Sequence, residues 1–317
     1  MRMPLFAVAL LCAAPVAAEP HPAAGGNGPS VLVAQLGGGG KDGLMLMPVL
    51  QFQQGRWQSL TTEAAMRLMG PSTWSSFALW DAKEADAKAV PLRTATTVKP
   101  FKVLWGDDYP GFLLHDKPTT QVSLAVTLEP KDARARAFLP PSSEPLRDAL
   151  KRKVLESFPS LEKMGQQLVA QPDTRCEGAA AWKEEALTAE ELDESQEQFV
   201  GCARGSADVP LVCQVRITRR MASTKAACRA NVWVDAWLVG TPERFEVVRI
   251  NRGVYAHDED GAGISGERAM LLLELEGRLF ALTRPICFEG CQRLSVLEVG
   301  AKGIKPLATG QVVPDEF

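Results

Sequence analysis

The chain is 317 residues long, 46% hydrophobic and 23% charged, and Lys+Arg 35 against Asp+Glu 38 leaves a formal net charge of −3. This is the composition of a folded globular protein with room for about two domains, and it excludes an intrinsically disordered chain. It also excludes a general nucleic-acid binder, because there is no surplus of Lys and Arg to neutralise a phosphate backbone.

Residues 1–18 have the pattern of a signal peptide. Arg2 supplies the positive charge, Leu5 to Ala14 form an apolar run, and Val16-Ala17-Ala18 place small residues before a cleavage site. The run is too short to cross a bilayer, which takes roughly 20 residues. Leu11 precedes Cys12 where a lipoprotein signal would carry a small residue, so cleavage after Ala18 is expected and lipidation is not. Residues 19–30, rich in Pro, Gly and Ala, read as a flexible leader. No later run is long and apolar enough for a transmembrane helix, and a periplasmic or secreted protein is expected.

From residue 31 to 140, short apolar runs between turn residues predict an N-terminal β-rich domain. Val31 to Leu36 is the first strand, and Met47 to Gln53 turns through Gln54-Gly55 into Arg56 to Leu60 as a hairpin. Trp74 to Trp80, Phe101 to Trp105, Gly111 to His115 and Gln121 to Leu128 continue the series. In the last, Val122, Leu124, Val126 and Leu128 fall on one face. A short helix from Thr62 to Met69 stops at Gly70-Pro71.

Residues 141–200 read as a helical connector. Leu146, Ala149, Leu150, Val154 and Phe158 recur at helical spacing until Pro159, and Leu161 to Val169 forms a second helix. Thr188 and Glu191 make a capping box, with Leu187 and Leu192 as its hydrophobic staple, at the start of an acidic third helix.

Residues 201–317 return to β signals: Pro210 to Ile217, Cys228 to Leu238, Phe245 to Ile250, Met270 to Leu275, Arg278 to Thr283 and Leu294 to Val299. Arg229, Asn231, Trp233 and Asp235 alternate with Ala230, Val232, Val234 and Ala236, which predicts a half-exposed antiparallel strand. The Glu276-Gly277-Arg278 turn echoes Gln54-Gly55-Arg56, but the match is short and such restarts after a turn are common.

Beyond the leader the cysteines are Cys176, Cys202, Cys213, Cys228, Cys287 and Cys291, all after residue 170. An even count in an exported chain predicts disulfides, and so predicts staples confined to the C-terminal half. Only the Cys287-Phe288-Glu289-Gly290-Cys291 spacing suggests a local pair, separate half-cystines being the alternative. No CxxC knuckle with nearby histidine is present, which argues against zinc.

Catalytic patterns are sparse. His115 and His257 are the histidines outside the leader, and no GxSxG motif nominates a serine for either. Asp258, Asp260 and Gly263 match positions one, three and six of an EF-hand loop. Ala262 and Ala269 stand where oxygen ligands belong, so the segment reads first as a polar turn. Gly37 to Asp42 lacks the Ser or Thr of a phosphate loop, and Ser160-Leu161-Glu162-Lys163 spells SxxK without its companion motifs.

The fold expected is α+β and β-dominated: two antiparallel β modules of sandwich or open-barrel type separated by the helical connector. The function expected is non-catalytic, a binding or structural protein of the cell envelope with an envelope or extracellular partner and no cofactor. Two alternatives remain: a hydrolase built on His257, Asp258 and an unassigned serine, and a weak calcium module at Asp258 and Asp260.

Overall fold

The computed structural model describes residues 31–38, 44–61, 63–65, 78–79, 90–91, 97–102, 108–114, 124–126, 134–170, 176, 178–186, 199–225, 228–256, 266–285 and 293–311. In chain order the first strands are β1 (Val31–Gly38), β2 (Leu44–Gln53), β3 (Arg56–Ser59), β4 (Ala78–Leu79), β5 (Val90–Pro91), β6 (Thr97–Lys102), β7 (Asp108–Leu114) and β8 (Leu124–Val126). They form one antiparallel sheet ordered β5-β4-β8-β1-β2-β7-β6, with β3 also paired to β2. Then come β9 (Arg134–Ala137), helices α1 (Glu144–Leu155) and α2 (Leu161–Val169), β10 (Trp182–Glu185) and β11 (Phe199–Arg204). The three long strands β12 (Leu211–Ser223), β13 (Arg229–Thr241) and β14 (Arg244–Ala256) follow. The last four are β15 (Glu267–Leu275), β16 (Arg278–Pro285), β17 (Arg293–Gly300) and β18 (Gly303–Gln311). A second sheet runs β10-β12-β13-β14 with β11 beside β12, and a third runs β18-β17-β16-β15-β9.

The fold is therefore α+β and β-dominated, with antiparallel sheets in separate groups, as the sequence predicts; the strands after residue 200 fall into the second and third sheets, and the third also takes in β9 from before the helices. Their stacking follows from which faces are apolar. Leu271, Leu273, Phe280 and Leu282 of the third sheet pack on Val31, Val33, Leu50 and Phe52 of the first. Its opposite face, with Leu272, Leu279, Ala281 and Leu297, packs on Val212, Trp237 and Val239 of the second. The third sheet is thus the middle layer. Burial on both faces explains why Leu271-Leu272-Leu273 and Leu279-Phe280-Ala281-Leu282 are continuous apolar runs rather than alternating ones. On its other side the second sheet is covered by helices. Leu150 and Val154 of α1 meet Val215, Val234 and Ala236, and Met164 and Leu168 of α2 meet Met221 and Ala230.

Both helices start on a serine. The Ser143 and Ser160 hydroxyls accept the backbone N–H of Leu146 and Lys163 at 3.4 and 3.3 Å. Ser160, the serine of the SxxK match, is an N-cap. Gly165 in α2 lies so close to the Trp182 indole that a Cβ there would collide with it.

The two look-alike hairpins share one turn geometry. Gln54 and Gly55 have φ of 51° and 73°, and Glu276 and Gly277 have 51° and 72°, the doubly left-handed pair of a type I′ turn. The tips also touch, since Arg278 Nη1 donates to the Gly55 carbonyl at 2.9 Å. Beneath them Phe52, Trp57 and Phe280 form a ring cluster with centroids 5.3 to 5.7 Å apart.

Several expectations change in detail. Trp182–Glu185, inside the expected helical connector, is strand β10, paired to β12 from Trp182↔Ser223 to Glu185↔Arg220. β13 is not half-exposed: Asn231, Trp233 and Asp235 are buried along with their apolar neighbours, because their face points at a polar cluster inside the protein. β18 carries Pro306 where an edge strand can tolerate it, at a bulge opposite Leu297. The Thr62 to Met69 helix is described only at 63–65, which is helical, and the capping box at Thr188 and Glu191 lies outside the described residues.

Candidate functional site

His115, His257, Asp258, Asp260, Cys287 and Cys291 all lie outside the described residues. The other four cysteines pair as Cys176–Cys228 and Cys202–Cys213. The second bridge joins directly opposed positions of β11 and β12. Among the described residues no group of three or more His, Cys, Asp or Glu side chains could hold a metal.

Two features stand out. The first is the polar cluster on the inner face of the second sheet. Gln214, fully buried, acts as a surrogate peptide. Its Nε2 donates to the Glu267 carbonyl and, at 2.9 Å, to Asp235 Oδ1, while its Oε1 accepts the Ala269 N–H at 2.6 Å. It thereby stitches the second sheet to the first residues of β15. Arg216 Nη1 lies 3.8 Å from Asp235 Oδ2, both side chains are 1% exposed, and the guanidinium carbon sits 4.8 Å over the Trp233 ring. Gly266, with φ of 148°, fits against the Arg216 guanidinium, where a Cβ would collide.

Burial pushes the Asp235 carboxyl up from 3.8 to about 6, against the opposing pull of Arg216, the Glu267 N–H and Gln214. Since the folded-state value lies above the unfolded one, the folded protein holds the extra proton between them. The stability this group contributes is therefore full below about pH 4 and lost as pH rises through 6, the reverse of a surface carboxylate. At about 1.4 kcal/mol per pH unit the difference approaches ~3 kcal/mol. Asp235→Asn is accordingly expected to gain on the unsubstituted protein by up to ~3 kcal/mol between pH 4 and pH 7.5 in urea denaturation. A stability difference that stays constant with pH would contradict this assignment.

The second feature is a cleft of about 470 Å³ at the edge where the second and third sheets meet beside α1. There Leu139 and Cys202 exchange backbone hydrogen bonds of 3.0 and 2.8 Å, tying the end of β9 to β11. Four cations line the cleft: Arg147 and Lys151 from α1, Arg268 from β15 and Arg284 from β16. The rest of its described lining is apolar, including Phe138, Phe199 and Met270, and contains no carboxylate. Arg268 and Arg284 are directly opposed across β15 and β16, a placement that like charges disfavour. Arg147 and Lys151, four residues apart on one helical face, are a second like-charge pair. The Arg268 guanidinium lies 5.0 Å over the Phe199 ring. Its partial burial lowers its pKa, as does the neighbouring Arg284.

The cleft draws on four separated stretches of chain, and no local motif announces it. Comparison with protein-family profiles, with curated proteins and with solved structures finds no match to this chain.

Proposed function

We propose that this is an exported, non-catalytic binding protein of the cell envelope and that the cleft beside α1 is where it binds. The observation that carries the reading is the convergence of two like-charge pairs on one cavity. Its volume falls within the roughly 300–1,000 Å³ typical of small-molecule sites. Placing Arg opposite Arg on paired strands costs stability in the empty protein, and local rules broken in this way are expected where function demands it. Export is supported by the leader pattern of residues 1–18 and by the two disulfides, which persist outside the reducing cytosol. No described helix is long and apolar enough to cross a membrane.

The test is thermal unfolding of the purified chain against a panel of small organic anions and their neutral analogues. A ligand present at a hundred times its dissociation constant adds about 2.7 kcal/mol, a rise in Tm of about 4 °C in a chain of this size. We expect anions alone to produce the rise and Arg268→Gln with Arg284→Gln to abolish it. Failure of every anion would overturn the reading, as would turnover of an ester substrate that depends on the cleft.

A further inference from the structure

We propose that the cleft takes an amphipathic organic anion, one phosphate, sulfonate or carboxylate head on a short apolar body. This rests on the binding reading above and narrows it to a ligand class. The head is assigned by the four cations. None of Arg147, Lys151, Arg268 and Arg284 has an ion-pair partner among the described residues, so no described carboxylate neutralises the positive charge gathered there. A single anion between α1 and the β15–β16 pair would relieve both like-charge pairs at once, and guanidinium groups match the two-oxygen edge of a phosphate or carboxylate. Arg284 is exposed, while Arg268 is half-buried with its guanidinium carbon over the Phe199 ring, so one of the two is pre-set in position before the ligand arrives.

The body is assigned by the apolar part of the lining. A site for a purely polar anion such as inorganic phosphate would be ringed by hydrogen-bonding groups. Here the lining other than the cations is apolar, with Phe138, Phe199, Val200, Ala269 and Met270 among its residues. Such surfaces gain from covering hydrocarbon and gain nothing from more oxygen atoms. Four cations and a hydrocarbon lining in one cavity together describe a molecule with one charged end.

Isothermal titration of the purified chain at low salt tests this with three probes: octyl phosphate, inorganic phosphate and octanol. Octyl phosphate is expected to bind once per chain and at least about tenfold more tightly than either half alone, the combined gain of one buried head and several methylenes. Arg268→Gln with Arg284→Gln, and separately Arg147→Gln with Lys151→Gln, should each weaken it about tenfold or more. Arg244→Gln, at an 86% exposed side chain at the start of β14, should leave it unchanged. The two pairs sit on different elements, so a folding defect in one variant leaves the other as the test. If inorganic phosphate binds as tightly as octyl phosphate, the amphipathic assignment falls and the binding reading stands. If octyl phosphate binds all variants alike, the ligand is not in this cleft and the inference is wrong. Adsorption to phosphatidylglycerol vesicles without binding of octyl phosphate would make the patch a surface for membranes and would equally overturn it. If none of the three probes binds and no anion of the wider panel does, the binding reading falls with it.

Discussion

Phe280→Ala is expected to remove about 4 kcal/mol of stability, the cost of deleting a large ring from a site that cannot collapse. Phe280 is fully buried on β16, in the middle layer, with Phe52 and Trp57 of the first sheet at 5.5 and 5.7 Å between centroids. All three rings are anchored on β-strands, so the surrounding backbone has little freedom to close the void. Urea denaturation monitored by tryptophan fluorescence measures the loss, because Trp57 reports directly on this cluster. A loss under ~1 kcal/mol would mean that the first and third sheets are not packed face to face here.

Removing the Cys176–Cys228 bridge by the double substitution to Ser should cost about as much. The bridge spans 52 residues and, on the chain-entropy account, constrains the unfolded state by about 4 kcal/mol. It also ties the chain just beyond α2 to the start of β13, over the cluster where Met164 and Leu168 meet Met221 and Ala230. Loosening it should release α2 first. The Cys202–Cys213 bridge closes only 11 residues between strands already paired, and by the same reasoning supplies about 3 kcal/mol. Thermal unfolding of both double-serine variants, with and without reductant, is the measurement. Equal melting of the unsubstituted protein in reducing and oxidising buffer would show that neither bridge stabilises it.

How much could be read in advance depended on whether the governing interaction was local. The two hairpins were legible because Gln-Gly and Glu-Gly turns accept positive φ at both central positions. The helices were legible because Leu146, Ala149, Leu150, Val154 and Phe158 recur at helical spacing and Pro159 separates the two, whereas the Ser143 and Ser160 caps emerge only in the structure. The leucine run of β15 could be read as a strand, but not as one buried on two faces, since that depends on Val31, Val33, Leu50 and Phe52, more than two hundred positions earlier, on one side and on the second sheet on the other. The polar residues of β13 were misplaced for a similar reason. Asn231 and Asp235 look like a solvent face until Gln214 and Arg216 of β12 and the backbone of β15 are seen to engage the same side of the sheet. The cleft was hidden altogether. Arg147, Phe199, Arg268 and Arg284 are unremarkable singly, and only the pairing of β15 with β16 and the seating of α1 bring them to one cavity.

The layering also dictates an order of events during synthesis. The described strands of the first sheet end by residue 126, yet the described leucines that cover it, and Phe280, belong mostly to strands made only after residue 266. A nascent chain must therefore carry an uncovered greasy surface for the time taken to add some 140 residues, long enough to recruit a holding chaperone. Any ribosome stalled or message cut short within that interval would release a fragment prone to clump rather than a smaller working protein.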